Sequence, residues 1–162
     1  MADAPLDVTM EWLPRRVQTD VRHYDGPALG LPAQPNTTAA LPTGPALWLG
    51  PDEWLVFGGG WSAAAGLAAE RDWRARADAA VDVSAQRVGL ALTGPHARAL
   101  LSFGCALDLH PDVFPVGACA QTLCARVPVV LSRPEEDGYW LLVRPSTAGY
   151  LAAFLTDART AG

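Results

Sequence analysis

Apolar and polar residues alternate most clearly between Pro45 and Val143. Ala46–Leu49 and Trp54–Phe57 are short apolar runs separated by Gly50-Pro51-Asp52-Glu53, which predicts strand, turn, strand. Gly58-Gly59-Gly60 breaks that pattern. Ser62 is placed to cap an alanine-rich helix reaching about Ala79, with Glu70 four residues before Arg74. From Val81 to Leu92 the apolar phase changes: Val81 and Val83 fall on one parity, and Val88, Leu90 and Leu92 on the other. A strand cannot do that without a bulge or turn near Ser84–Arg87. Thr93-Gly94-Pro95 opens a short helix with Ala97, Leu100 and Leu101 on one face, and Gly104 is expected to close it as a C-cap. Cys105–Gly117 reads as a structured loop. Gln121, Leu123, Ala125, Val127, Val129 and Leu131 mark a long strand, with Pro128 suggesting an edge or a bulge. Tyr139–Val143 is apolar on both faces, as a central strand would be. Pro145-Ser146 introduces a last helix with the stripe Tyr150, Leu151, Phe154 and Leu155.

Residues 1–44 lack any sustained period. Pro5, Pro14, Pro27, Pro32, Pro35 and Pro42 recur with glycines and favour an extended or coiled chain. The expectation is an irregular N-terminal arm, either frayed or ordered against a partner; Met10, Trp12, Leu13 and Tyr24 favour the second. Residues 45–162 then form a single α+β domain, a mostly antiparallel sheet with helices on one face in the order β-β-α-β-α-β-β-α.

Composition narrows the function classes. Half of the 162 residues are hydrophobic, enough for a normal core. The formal net charge is −5, from 12 basic and 17 acidic residues, so the chain is a poor nucleic-acid ligand. Every basic residue is arginine; without lysine, Schiff-base and amine-nucleophile chemistry are closed. No window approaches the roughly 20 apolar residues of a membrane span, and the first residues carry acids where a signal peptide carries positive charge. A cytoplasmic location is expected. Cys105, Cys119 and Cys124 match neither a disulfide framework nor a zinc pattern.

Candidate chemistry is sparse. Gly58-Gly59-Gly60-Trp61-Ser62-Ala63 fits the outline of a dinucleotide fingerprint, with Asp82 further on. Its preceding strand is half of a hairpin, however, and no strand-helix-strand unit repeats. Cys105 and His110 could pair across the loop, but no third group orients them. His23, His96 and His110 are scattered, and Glu135-Glu136-Asp137-Gly138 reads as a solvated turn. No catalytic, cofactor-binding or metal-binding residue emerges. Six tryptophans are many for this length, and they fit either the core or a permanent interface.

Two strings carry a resemblance. Asp82-Val83-Ser84 with Arg87, then Leu90, Leu92, Gly94-Pro95 and Ala99-Leu100-Leu101, resembles the folate-binding aminomethyltransferase superfamily. Gly104-Cys105-Ala106-Leu107-Asp108-Leu109-His110-Pro111, then Phe114–Gly117 and Cys119–Leu123, resembles the gamma-subunit family of heterotetrameric sarcosine oxidases, and the match resumes at Tyr139–Arg144. The resemblance implies a non-catalytic subunit with an aminomethyltransferase folate-binding-type domain. Its partners would be the alpha, beta and delta subunits, chiefly alpha, which would hold FAD, FMN, NAD, tetrahydrofolate and zinc. The catalytic aspartate of the aminomethyltransferases has no counterpart in the short turn Ser132–Asp137, so their folate chemistry is not carried over. Apolar residues held in loops point to Trp12, Leu107, Leu109, His110 and Phe114 as a partner interface. A free-standing folate-binding domain of aminomethyltransferase type is the alternative.

Overall fold

The computed structural model describes residues 4–161, with side chains to Thr160. The class is α+β, as expected, but with two five-stranded antiparallel sheets rather than one. The chain divides into two compact units. The first joins the described residues up to Leu13 with those from Arg87 onward; the second is Pro14–Gln86.

In the first unit the sheet order is β1-β7-β10-β9-β8. Its strands are β1 (Thr9–Trp12), β7 (Val88–Thr93), β8 (Cys119–Cys124), β9 (Val127–Glu135) and β10 (Gly138–Val143). Helices α2 (Ala97–Ser102) and α3 (Pro145–Ala161) cover one face. Leu100, Leu101, Leu151 and Leu155 meet Leu90, Leu92, Tyr139, Leu141, Val143 and Leu131 there, so the period-2 stripes of three strands and the stripes of two helices close one core.

In the second unit the order is β3-β4-β5-β2-β6, with β2 (Arg16–Arg22), β3 (Thr38–Leu41), β4 (Gly44–Gly50), β5 (Glu53–Gly60) and β6 (Ala79–Asp82). Helix α1 (Ala63–Arg74) starts at Ser62, whose Oγ accepts from the Ala65 amide at 3.1 Å. Val21, Leu31, Ala46, Trp54, Val56, Trp73 and Ala80 form its core. Trp54 satisfies its indole N–H on the Pro32 carbonyl, 3.0 Å away.

Several expectations are corrected. The expected arm, as far as it is described (residues 4–44), is not irregular: it supplies β1, β2 and β3, and β2 lies between β5 and β6. Prolines flank these strands instead of interrupting them, which is why composition concealed them. Gly58–Gly60 continue β5, with Gly60 opposite Arg16. The 121–131 stretch is two strands, because Ala125 and Arg126 take left-handed conformations (φ 51° and 66°) and turn the chain between β8 and β9. Gly104 is not a left-handed cap. A Cβ there would lie 2.8 Å from the Phe154 ring and 3.0 Å from the Ala125 amide nitrogen, so close packing demands glycine. The phase change at Ser84–Arg87 does mark a break: β6 and β7 end in different sheets.

Candidate functional site

The two strings singled out in the sequence build local structure. In Asp82-Val83-Ser84 the serine Oγ donates to Asp82 Oδ1 and accepts from the Gln18 amide at 2.9 Å. The Asp82 amide donates to Glu70 Oε2 at 2.8 Å, and the Val83 amide to the Gln18 carbonyl at 2.8 Å. The Asp82 amide thus fastens α1, and the Val83 amide and Ser84 hydroxyl fasten β2, to the end of β6, while the Asp82 carboxylate braces Ser84. Asp82 does not face a nucleotide site, and β5 pairs antiparallel on both sides, which excludes the parallel unit that a dinucleotide fold requires.

The loop between α2 and β8 is held from within. Asp108 Oδ1 accepts from the His110 amide at 2.9 Å, and the His110 carbonyl accepts from Val113 and Phe114 at 2.9 and 2.8 Å. Arg133 on β9 anchors the far end. It is 5% exposed and its guanidinium donates to the Phe114 carbonyl (2.8 Å) and twice to the Glu136 carbonyl (3.2 and 2.7 Å). Its backbone exchanges bonds with Gly117 and Ala118. One buried cation therefore ties the Phe-Pro-Val-Gly segment to the β9–β10 turn.

The expected interface residues separate. Leu109 and Phe114 are buried, 5% exposed each, inside the core of the first unit, and Leu107 packs half-buried against it. Their apolar surface is already used in folding, because the internally bonded loop folds inward onto β8 and β9. Trp12, 50% exposed on edge strand β1, and His110, exposed in the loop, retain free surface. Among the tryptophans Trp54 and Trp73 are core, while Trp61 is exposed and stacks under Arg15 at 4.1 Å.

Reactive groups are withdrawn. All three cysteines are free and buried. Burial first, and neighbouring Cys105 second, push the Cys124 thiol up to about 12. His110 is exposed while Cys105 is buried, so the two do not form a nucleophile–base pair. His23 Nδ1 sits 3.0 Å from Asp78 Oδ2, and His96 Nδ1 accepts from the Asp7 amide. Around Arg22 gather Glu53 (2.9 Å), Asp52 (3.4 Å) and Asp20 (3.7 Å). Burial first and Asp20 second raise the Glu53 carboxyl, against the opposing pull of Arg22. Among the described residues no three His, Cys, Asp or Glu side chains converge as a metal site, and no helix is long and apolar enough to cross a membrane.

One open groove of about 380 Å3 lies on the first unit's sheet, on the face opposite α2 and α3. Leu142, Val130 and Leu123 contribute to its floor and rim, and Arg87 and Arg144 stand at one end. Sequence reading had no reason to join these arginines. The register does, since Val88 pairs with Val143 and the arginines are the next residues outward.

The model of the sarcosine oxidase, gamma subunit family matches residues 24–161. The chain belongs to that family. It is 39% identical over 132 residues to the sarcosine oxidase subunit gamma of Corynebacterium sp. (strain P-1), and 38% identical over 134 residues to that of Arthrobacter sp.. Those matches cover 80% and 81% of this chain and 64% of each relative, so the chain spans a little under two thirds of the relatives' length. Heterotetrameric sarcosine oxidase from Corynebacterium sp. U-96, solved in complex with pyrrole 2-carboxylate, contains a chain that superposes with a TM-score of 0.82 at 30% identity, over 94% of this chain and 84% of that one. The glycine cleavage system aminomethyltransferase T of Bartonella henselae shares the fold at 17% identity (TM-score 0.67), over 98% of this chain and 47% of that one.

In this chain the residues that carry the resemblance hold local structure within each unit. Gly104, the Phe114–Gly117 segment and Asp82–Ser84 each have a packing or hydrogen-bonding role.

Proposed function

We propose that this chain is a structural subunit of a heterotetrameric sarcosine oxidase, an assembly that oxidatively demethylates sarcosine to glycine, produces hydrogen peroxide and passes the one-carbon unit to tetrahydrofolate. Its partners are the alpha, beta and delta subunits, chiefly alpha, in the cytoplasm. FAD, FMN, NAD, tetrahydrofolate and zinc belong to those partners, and this chain contributes surface to the assembly. The observation that carries the reading, beside family membership, is the use made of its polar residues. Asp82, Ser84 and Arg133 are engaged in holding backbone, and Cys105, Cys119 and Cys124 are buried thiols. Gly58–Gly60 lie in a strand rather than a phosphate-cradling turn, and among the described residues the thiols do not converge with other groups as zinc ligands would.

Co-expression with the three candidate partners tests the proposal. A stoichiometric complex that forms peroxide from sarcosine, with no peroxide from the chain alone, is the expected result. Calorimetric titration of the chain alone with tetrahydrofolate should give no binding heat. Micromolar folate binding by the lone chain, or failure to enter any complex, would overturn it in favour of a free-standing folate-binding domain.

A further inference from the structure

Arg87 and Arg144 are the residues next outward from the Val88–Val143 pair that ends the β7–β10 ladder, and both line the groove. The chain carries a net charge of −5, and yet the residues lining this groove include two arginines and no acid. Arg144 is exposed and, among the described residues, engages no carboxylate. Alongside lie Leu123, 54% exposed, and Pro128, also exposed. Their register is direct, Leu123 opposite Pro128 and Gln121 opposite Val130, which makes an apolar shelf with a cationic end.

We propose that this groove docks a segment of a neighbouring subunit, one that presents a carboxylate to Arg144 and Arg87 and lays an adjacent apolar side chain over Leu123 and Pro128. The inference rests on the gamma-subunit reading above and adds to it the surface used and the chemistry of its partner. Charge complementarity supplies the occupant: the guanidinium fork of Arg144 matches a carboxylate in two parallel bonds, and no acid lines the groove to compete for it. The floor is the face of neighbouring strands and the walls are rim side chains only. That shape suits a segment lying across it better than a small molecule, whose sites enclose most of the ligand. Partner contact would also remove from water the apolar rim that the chain exposes beside its arginines.

The experiment uses the full chain co-expressed with its partner subunits. Arg144→Glu should weaken assembly by at least about tenfold, and Leu123→Asp should weaken it too, while Arg126→Glu, exposed on the β8–β9 turn outside the groove, should assemble as the unaltered chain does. Assembly by the unaltered chain should weaken with salt, and that dependence should shrink in Arg144→Gln. Phenylglyoxal modification mapped by mass spectrometry should label Arg144 several-fold more slowly in the complex than in the separated chain, with Arg126 reacting alike in both. Unchanged assembly by Arg144→Glu, or equal labelling of Arg144 in complex and free chain, overturns the proposal. If benzoate alone slows that labelling in the complex, the groove is open there and takes small organic anions instead, which also overturns it. If the unaltered chain enters no complex, the gamma-subunit reading falls and the proposal with it, a result distinct from a complex that ignores Arg144.

Discussion

At the scale of single residues, the buried ionisable groups behave as structural elements. Tyr139 is 1% exposed and its hydroxyl has no hydrogen-bond partner among the described residues. A buried hydroxyl left unpaired costs about 1–3 kcal/mol. Tyr139→Phe should therefore leave urea stability unchanged or raise it by up to about 1 kcal/mol, whereas a loss of that size would reveal a water partner. Cys124 is likewise governed by burial. Its thiol, ordinarily near 9.0, is pushed up to about 12, so the folded chain keeps the proton and the unfolded chain releases it from pH 9 upward. Its contribution to stability is thus complete below pH 9 and is lost progressively as pH rises toward 12. Tyr139 is raised as well, by burial first, against the pull of Arg133 and Arg98, and adds to the loss in the same direction. Equilibrium unfolding across that window should show falling stability, with a shallower fall in Cys124→Ala. A thiol reagent at neutral pH should leave all three cysteines unmodified until urea is added.

At the scale of elements, the clearest dependence is that of the 105–117 loop on Arg133. The loop makes its own turns through Asp108 and His110, but its end is fixed by the guanidinium bonds to Phe114 and Glu136. Arg133→Met removes three charge-assisted bonds and strands the buried Phe114 carbonyl, which should cost about 2–4 kcal/mol. Arg133→Lys should not restore it, because one ammonium lacks the fork that spans both carbonyls. Hydrogen exchange should then rise across residues 105–117, more than in α3. Elements whose period and punctuation agree were legible: β4, α2, β10 and α3 lie where apolar spacing and Pro95 or Pro145 place them. By contrast, α1 starts at Ser62 as expected but ends at Arg74, short of Ala79, which opens β6, and β5 runs on through Gly60. The β8–β9 turn was illegible, because Ala125 and Arg126 carry no glycine or asparagine signal. Their left-handed backbone is imposed by context: the Ala125 amide donates to the Gly104 carbonyl at 2.9 Å, and the Cys105 backbone forms an isolated antiparallel bridge with that of Cys124. The groove arginines were illegible for a related reason. Fifty-seven positions separate them in sequence, and only the β7–β10 register joins them.

At the scale of the whole molecule, the main discrepancy between sequence and structure is the N-terminal segment, and it makes the sharpest prediction. A removable arm and an edge strand differ in what truncation does. The described residues up to Leu13 complete the first unit: Val8 is 5% exposed in its core, with Leu6 and Met10 packed beside it, and β1 pairs with β7 from Thr9–Thr93 to Trp12–Leu90. The Leu6 amide donates to the Arg159 carbonyl at 3.0 Å, and Arg159 returns a bond to the Val8 carbonyl at 3.2 Å. Deleting residues 1–13 should therefore cost at least about 2 kcal/mol, from the burial of Val8 alone, and leave the β7 edge open to association. Gly94 supplies the internal check. Its φ is +136°, and a Cβ there would sit 2.6 Å from the Asp7 carbonyl oxygen. In the full chain Gly94→Ala meets both the strained backbone and that collision; without residues 1–13 only the backbone strain remains. A double-mutant cycle by thermal or urea unfolding should give a smaller penalty for Gly94→Ala in the truncated chain, by about 1 kcal/mol or more. Equal penalties in both backgrounds, with truncation harmless, would mean that the segment is the detachable arm its composition suggests and that Gly94 is retained for its backbone alone.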